Sequence, residues 1–160
     1  MSSSPPTAST ARQRWYSCAA SDVGHVRKVN EDAFLDAREQ SLWVVADGMG
    51  GHSRGDRASQ AIIEELHSFV AATSARASLD DLVRRMNAAN RFCRESSDGQ
   101  VMGSTVAALY LHGNRAYLLW AGDSRIYRYR GTWSRPTGTC VARAAELRVV
   151  EVRPEQDRKS

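Results

Sequence analysis

The stretch Leu42-Trp43-Val44-Val45-Ala46-Asp47-Gly48-Met49-Gly50-Gly51-His52 constrains the chain more than any other. Its apolar run, rich in β-branched and aromatic residues, reads as a strand buried on both faces. The run stops on a carboxylate, and Gly48, Gly50 and Gly51 follow at once. Asp47 is thereby placed at the mouth of a strand, where glycines permit positive φ and close approach of the main chain to a ligand. Taken alone, the same residues also read as a strand with an ordinary glycine turn. Two further acidic stretches bear on the choice. Asn30-Glu31-Asp32 lies upstream, and Ala121-Gly122-Asp123-Ser124-Arg125 closes a second apolar run downstream. With each at the edge of a predicted strand, they point to a carboxylate cluster.

A chain of 160 residues holds one domain and one core. Its net charge of +4 comes from scattered arginines, with no basic block and no interleaved aromatic stripe, so specific nucleic-acid binding has no support. Cys18, Cys93 and Cys140 show no metal-ligand spacing and suit free thiols in a reducing compartment. No stretch is long and apolar enough to span a membrane, and the N-terminus lacks an apolar signal core. A cytoplasmic monomer without membrane attachment is the expectation.

Residues 1–12 are small, polar and proline-bearing, and are expected to form a disordered lead. The globular part is expected over 13–130, beginning with a strand at Trp15 to Ala20. Ala33 to Leu35 and Leu42 to Ala46 read as arms of a hairpin. From Asp56 the period turns helical, with Ala58, Ala61, Ile62, Leu66, Phe69 and Val70 on one face. Ser78-Leu79-Asp80-Asp81 has the form of a weak capping box, followed by an apolar stripe of Leu79, Leu82, Val83, Met86 and Cys93. Val106 to Leu111 and Ala116 to Ala121 read as a second hairpin around His112-Gly113-Asn114-Arg115, with a short strand at Ile126 to Tyr129. Strands, two helices and strands again predict an α+β domain with mainly antiparallel sheet.

The motifs resemble those of the metal-dependent PPM (PP2C-type) serine/threonine protein phosphatases, bacterial members above all. The matching pieces are Asp22-x-Gly24-x-x-Arg27-x-x-Asn30-Glu31-Asp32, Val45-Ala46-Asp47-Gly48-Met49-Gly50-Gly51, Gly103-Ser104-Thr105 and Ala121-Gly122-Asp123-Ser124-Arg125. Each is weak alone; four in this order are specific. The resemblance implies an α-β-β-α sandwich of antiparallel sheets. It also implies hydrolysis of phosphoserine or phosphothreonine in phosphorylated proteins, the products of Ser/Thr kinases, by a water held between two Mn²⁺ or Mg²⁺ ions. Hard dications want oxygen ligands, and a metal pair ~3.5–4 Å apart lowers the pKa of a shared water.

By that resemblance Asp47 bridges the metals, Gly48 offers a backbone carbonyl, and Glu31 and Asp32 hold metal-bound waters. Arg27 grips the substrate phosphate, a task suited to a planar fork of donors. Asp123 holds a third, weaker metal. Each has a plainer reading: Arg27 as a solvated side chain, Asp123 as a turn residue in a modest ion pair with Arg125. His25 and His52 read as loop histidines, and the tryptophans as packing.

The chain departs from the family beyond Arg130. Ser134-Arg135-Pro136-Thr137-Gly138-Thr139-Cys140 stands where the family has Thr-x-Asp-His, and two later carboxylate motifs have no counterpart before Ser160. Residues 131–160 read as a divergent tail, with a frameshifted or truncated gene expected. Ala142 to Val152 is either helical or extended. With those carboxylates missing, at most one weak Mn²⁺ site and little turnover are expected. The alternative function is a pseudophosphatase that binds phosphoproteins or a kinase without turnover.

Overall fold

In the computed structural model, which describes residues 15–23, 25, 29–50, 54–127, 139–140 and 144–152, the polar break at 36–41 folds the first hairpin. β1 (Asp32–Ala37) and β2 (Leu42–Met49) pair antiparallel across a 3₁₀ turn at Arg38–Gln40. Two helices follow, α1 (Arg54–His67) and α2 (Ala75–Glu95), then β3 (Gly103–Ser104), β4 (Val106–His112) and β5 (Arg115–Gly122). β6 (Ile126–Tyr127) pairs with β7 (Thr139–Cys140) as a separate ribbon, and β8 (Ala144–Val152) returns to β5. The main sheet runs β1-β2-β4-β5-β8, with β3 also on β2, and every pairing is antiparallel. The expected α+β architecture and both expected hairpins are present. Of the two readings of the tail, the extended one holds over Ala144–Val152.

Strand parity explains where the core sits. Successive side chains alternate between faces, and in β2 Leu42, Val44, Ala46 and Gly48 are buried beneath the helices. Ile62 and Leu66 of α1 and Leu82 and Met86 of α2 close over Leu42 and Tyr110 in one continuous cluster. The opposite face is open over β1 and β2, where Phe34 is 42% and Val45 48% exposed, while farther across the sheet Ala107, Leu118 and Trp120 form a smaller buried cluster on it. The expectation of a strand buried on both faces is therefore corrected, because both helices lie on one side of the sheet. On the open side a cleft of about 280 Å³ has Phe34, Val45 and Leu109 on its floor and Cys18 and Tyr127 on its walls.

Residues Trp15 to Ala20 do not form the expected strand. The segment is held by side chains instead: Trp15 meets Trp43 edge-on at 6.4 Å, and Ser17 Oγ donates to Asp36 Oδ2 at 2.8 Å. The α1 stripe also ends sooner than expected. The helix stops at His67, so Phe69 is buried in the following turn while Val70 is 72% exposed. α2 starts earlier, with Ser74 as N-cap accepting from the Ala77 amide. Ser78 is then a buried first-turn residue whose Oγ accepts from the Ala72 amide, not the capping residue. The lead 1–12 lies outside the described residues. Among the described residues, Cys18 and Cys93 are free, and no helix is long and apolar enough to cross a membrane.

Arg85 joins the two helices. From α2 it donates to the Glu65 carbonyl at 2.6 Å and to Ser68 Oγ at 2.8 Å, capping the end of α1. Its Nε donates to Asp81 at 2.8 Å, and Arg84 pairs with the same carboxylate. Burial pushes the Asp81 carboxyl up, but the hydrogen bonds from Arg85 and Arg84 outweigh it and the net shift is downward from the ordinary 3.8. A carboxyl lowered by folding stabilises the fold above its unfolded pKa, and that contribution is lost as pH falls through the folded value. Arg85→Ala is expected to destabilise the chain by about 2 kcal/mol at neutral pH in urea unfolding. The deficit should shrink below about pH 4 as Asp81 protonates in both proteins. An unchanged urea midpoint would contradict this role for Arg85.

Candidate active site

The site lies where β1 begins and β2 ends. Asp32 and Asp47 are directly opposite in the β1–β2 register. Opposed residues of an antiparallel pair point to the same face, with Cβ atoms ~4.5–5.5 Å apart. Both carboxylates therefore stand on the open face, at the end of the apolar row formed by Phe34, Val45 and Trp43, and both residues are exposed. Like charges directly opposite destabilise a ladder. A cation between them reverses that sign.

Glu31 takes the other side. A Cβ built on Gly55 would fall 2.7 Å from Glu31 Cδ, so the carboxyl of Glu31 lies against the first turn of α1. A carboxylate there is favoured by the helix dipole. Parity thus divides Glu31 from Asp32, which the sequence had joined as one acidic pair. Gly48 points inward with Glu31. A Cβ on it would lie 2.7 Å from the Glu31 carbonyl and collide with the carbonyl of Gly55. Its amide donates to the Glu31 carbonyl at 3.0 Å.

The main chain of Asp47 is fixed by neighbours to which the sequence assigned no role. Its N–H donates to Thr105 Oγ1 at 3.2 Å, and its carbonyl accepts from the Thr105 amide at 2.8 Å, while the single Ser104 hydroxyl proton is shared between this carbonyl at 3.1 Å and that of Thr105 at 2.8 Å. Thr105 Oγ1 is also 2.5 Å from Ser124 Oγ, in the loop that carries Asp123. Asn30 sets the entry to β1: its Oδ1 accepts from the Asp32 amide at 3.0 Å, and its Nδ2 donates to Ser21 Oγ at 2.7 Å. The signal for Ser104, Thr105 and Asn30 was their presence in the quoted motifs, but their partners depend on the β2–β4 register.

Asp123 is exposed beyond the end of β5. Arg125 donates to the Tyr127 hydroxyl at 3.4 Å, and this contact comes before the field of Asp123 in holding its pKa up. Arg27 and His52 lie outside the described residues, while His25 is exposed. Among the described residues, no three His, Cys, Asp or Glu side chains converge as a metal-holding group. The donors that β1 and β2 bring together at Asp47 are, among the described residues, hard oxygens, from Asp32, Asp47 and the main chain. That chemistry fits Mn²⁺ or Mg²⁺, which accept carbonyls and waters beside a few carboxylates.

The chain belongs to the protein phosphatase 2C family, whose profile matches residues 24–147. That match runs past residue 130 into the tail. PstP, a serine/threonine protein phosphatase of Mycobacterium tuberculosis, is 39% identical over 127 residues, covering 70% of this chain and 22% of PstP. The serine/threonine phosphatase stp of Listeria innocua is 30% identical over 117 residues, covering 66% of this chain and 46% of stp. The chain thus spans about a fifth to a half of these relatives. Among solved structures, PppA of Pseudomonas aeruginosa superposes with a TM-score of 0.71 at 41% identity, covering 84% of this chain and 69% of PppA. The catalytic domain of PstP, solved with 2 manganese ions, superposes with a TM-score of 0.60 at 34% identity, over 82% of this chain and 52% of that one. These neighbours carry the PPM phosphatase fold, and the sheet with its helical layer conforms to it.

Gly55→Ala is expected to drive a methyl group into Glu31 and Gly48, costing about 1–3 kcal/mol by overpacking and displacing the Glu31 carboxyl. Gly103→Ala is the control, since among the described residues a Cβ there meets only the flexible Met49 side chain, at 3.4 Å or more. Thermal unfolding of both variants checks this; equal melting temperatures would contradict the packing described.

Proposed function

We propose that this chain carries the Asp47 metal site of a PP2C-type phosphatase, acting on phosphoserine and phosphothreonine in proteins. The observation that supports this best is the directly opposed pair Asp32 and Asp47, which sets two carboxylates side by side on one face where β2 ends. Asp47, the Gly48 carbonyl and waters ordered by Asp32 would hold the ion, with Glu31 behind them at the α1 terminus. When bound, a divalent ion supplies a Lewis acid that lowers the pKa of a water and offsets phosphoryl charge. Asp32 and Asp47 orient the donors around it, and the hydrogen-bonded main chain of Asp47 keeps them from relaxing apart. Arg27 binds the substrate phosphate and Asp123 holds a weaker ion, both roles resting on the family motif. The manganese ions in the PstP catalytic domain favour Mn²⁺ over Mg²⁺ as the first metal to test. A monomer in the cytoplasm completes the reading, and the free thiols Cys18 and Cys93 agree with a reducing compartment.

The lack of a three-ligand cluster among the described residues favours a second reading, a phosphoprotein binder with little turnover. Repulsion between two close dications is offset less well by few anionic ligands. The chain is therefore expected to bind at most one Mn²⁺, weakly, and to hydrolyse a phosphothreonine peptide slowly. Calorimetry with Mn²⁺ beside a phosphate-release assay tests both readings. Asp47→Asn should abolish Mn²⁺ uptake and any turnover. Mn²⁺ uptake unaffected by Asp47→Asn would defeat the metal site. Phosphopeptide binding without phosphate release, weakened by Arg27→Ala, would favour the binder.

A further inference from the structure

β3 and β4 share one register on β2: Gly48 opposes Ser104, and Val45 opposes Ala107. Continued through the gap, that register sets Asp47 opposite Thr105, where the ladder is interrupted. There the Asp47 N–H donates to the Thr105 hydroxyl, while the Thr105 carbonyl accepts from Ser104 Oγ at 2.8 Å. A side-chain oxygen thus stands in for a ladder carbonyl at the one position that bears the candidate metal ligand. The substitution has a chemical consequence. A carbonyl only accepts, whereas a hydroxyl both accepts and donates. Thr105 can therefore hold Asp47 and share a second bond with Ser124, next in sequence to Asp123. The closeness of β5 permits this: a Cβ on Gly122 would fall 2.7 Å from Thr105 Cγ2, so only glycine admits the threonine there.

We propose that Thr105 is a positioning residue for the metal centre, its hydroxyl fixing Asp47 and, through Ser124, coupling the Asp123 loop to it. The proposal rests on Asp47 being a metal ligand. Groups that orient ligands from behind typically change metal affinity by about 10–100-fold when removed. The bond to Ser124 places Thr105 between the two acidic positions, which no other described hydroxyl does. Movement of the Asp123 loop is then felt at the main chain of Asp47 across two hydrogen bonds, without contact between the carboxylates.

The test uses the full chain and Mn²⁺ alone. Thr105→Val keeps the shape and the amide donor but removes the hydroxyl. It is expected to weaken Mn²⁺ binding about 10-fold in calorimetry, with the urea midpoint little changed. Thr105→Ser, which retains Oγ, should restore affinity to within about 2-fold of the native chain. Ser124→Ala should weaken binding about 3-fold, and the double variant should be no weaker than Thr105→Val, because both lie on one path. In amide exchange, Thr105→Val should speed exchange at Asp47. Native Mn²⁺ affinity in Thr105→Val, or additive losses in the double variant, would overturn the coupling while leaving the Asp47 site standing. Loss of affinity together with stability, not rescued by Thr105→Ser, would assign Thr105 a structural role and overturn the proposal. If Thr105→Val does not fold, native affinity in Ser124→Ala is the overturning result and a loss of about 3-fold the supporting one. Mn²⁺ binding that ignores Asp47→Asn would remove the metal reading and this proposal with it.

Discussion

The backbone contact between Gly48 and Gly55 sets the geometry from which the rest of the site follows. A helix can approach a strand this closely only where neither carries a side chain at the contact. Once Gly48 faces α1, alternation leaves no choice: Asp47 faces away, Asp32 opposite it faces away, and Glu31 turns toward the helix. Sidedness of the acidic groups is thus a consequence of packing. The same contact brings the positive end of α1 to a carboxylate, so local electrostatics and packing agree.

Much of this fold could be read from residue pattern. The hairpin arms at Phe34 and Val44, the helical period through Ile62 and Leu66, and the second hairpin around Gly113 all follow from side-chain periodicity, a local property. Errors fell where a non-local partner decides the outcome. Val45 is as apolar as Val44, yet only one of the two meets a helix. Val70 continues the α1 stripe in sequence, but the helix has already ended. Ser78 has the right chemistry for a cap, and Ser74, just upstream, takes that place. Trp15 to Ala20 has strand composition but packs by side chains alone.

The candidate site, as far as the described residues compose it, was legible to a similar depth. Asp47, Gly48, Glu31, Asp32 and Asp123 stand out because carboxylates and glycines at strand ends are conspicuous in a sequence. Thr105 and Ser124 stand within the matching motifs but without a role, since a hydroxyl declares nothing until its partners are known. Their importance arises from a register between strands separated by both helices. Nor could adjacency in sequence reveal that Glu31 and Asp32 serve opposite faces.

That separation has a consequence for how the molecule comes together. The β1–β2 and β4–β5 hairpins each close over short loops and are able to form early and independently. Joining β2 to β4 brings Asp47 to Thr105 across 58 residues, closing a long loop that contains both helices. On a ribosome, the first hairpin and α1 emerge well before Thr105 is synthesised. The opposed carboxylates therefore exist before the hydroxyl that steadies them. The steadied geometry of the proposed metal site is acquired late, when the two halves of the sheet zip together, and it is expected to be the first to go when they part.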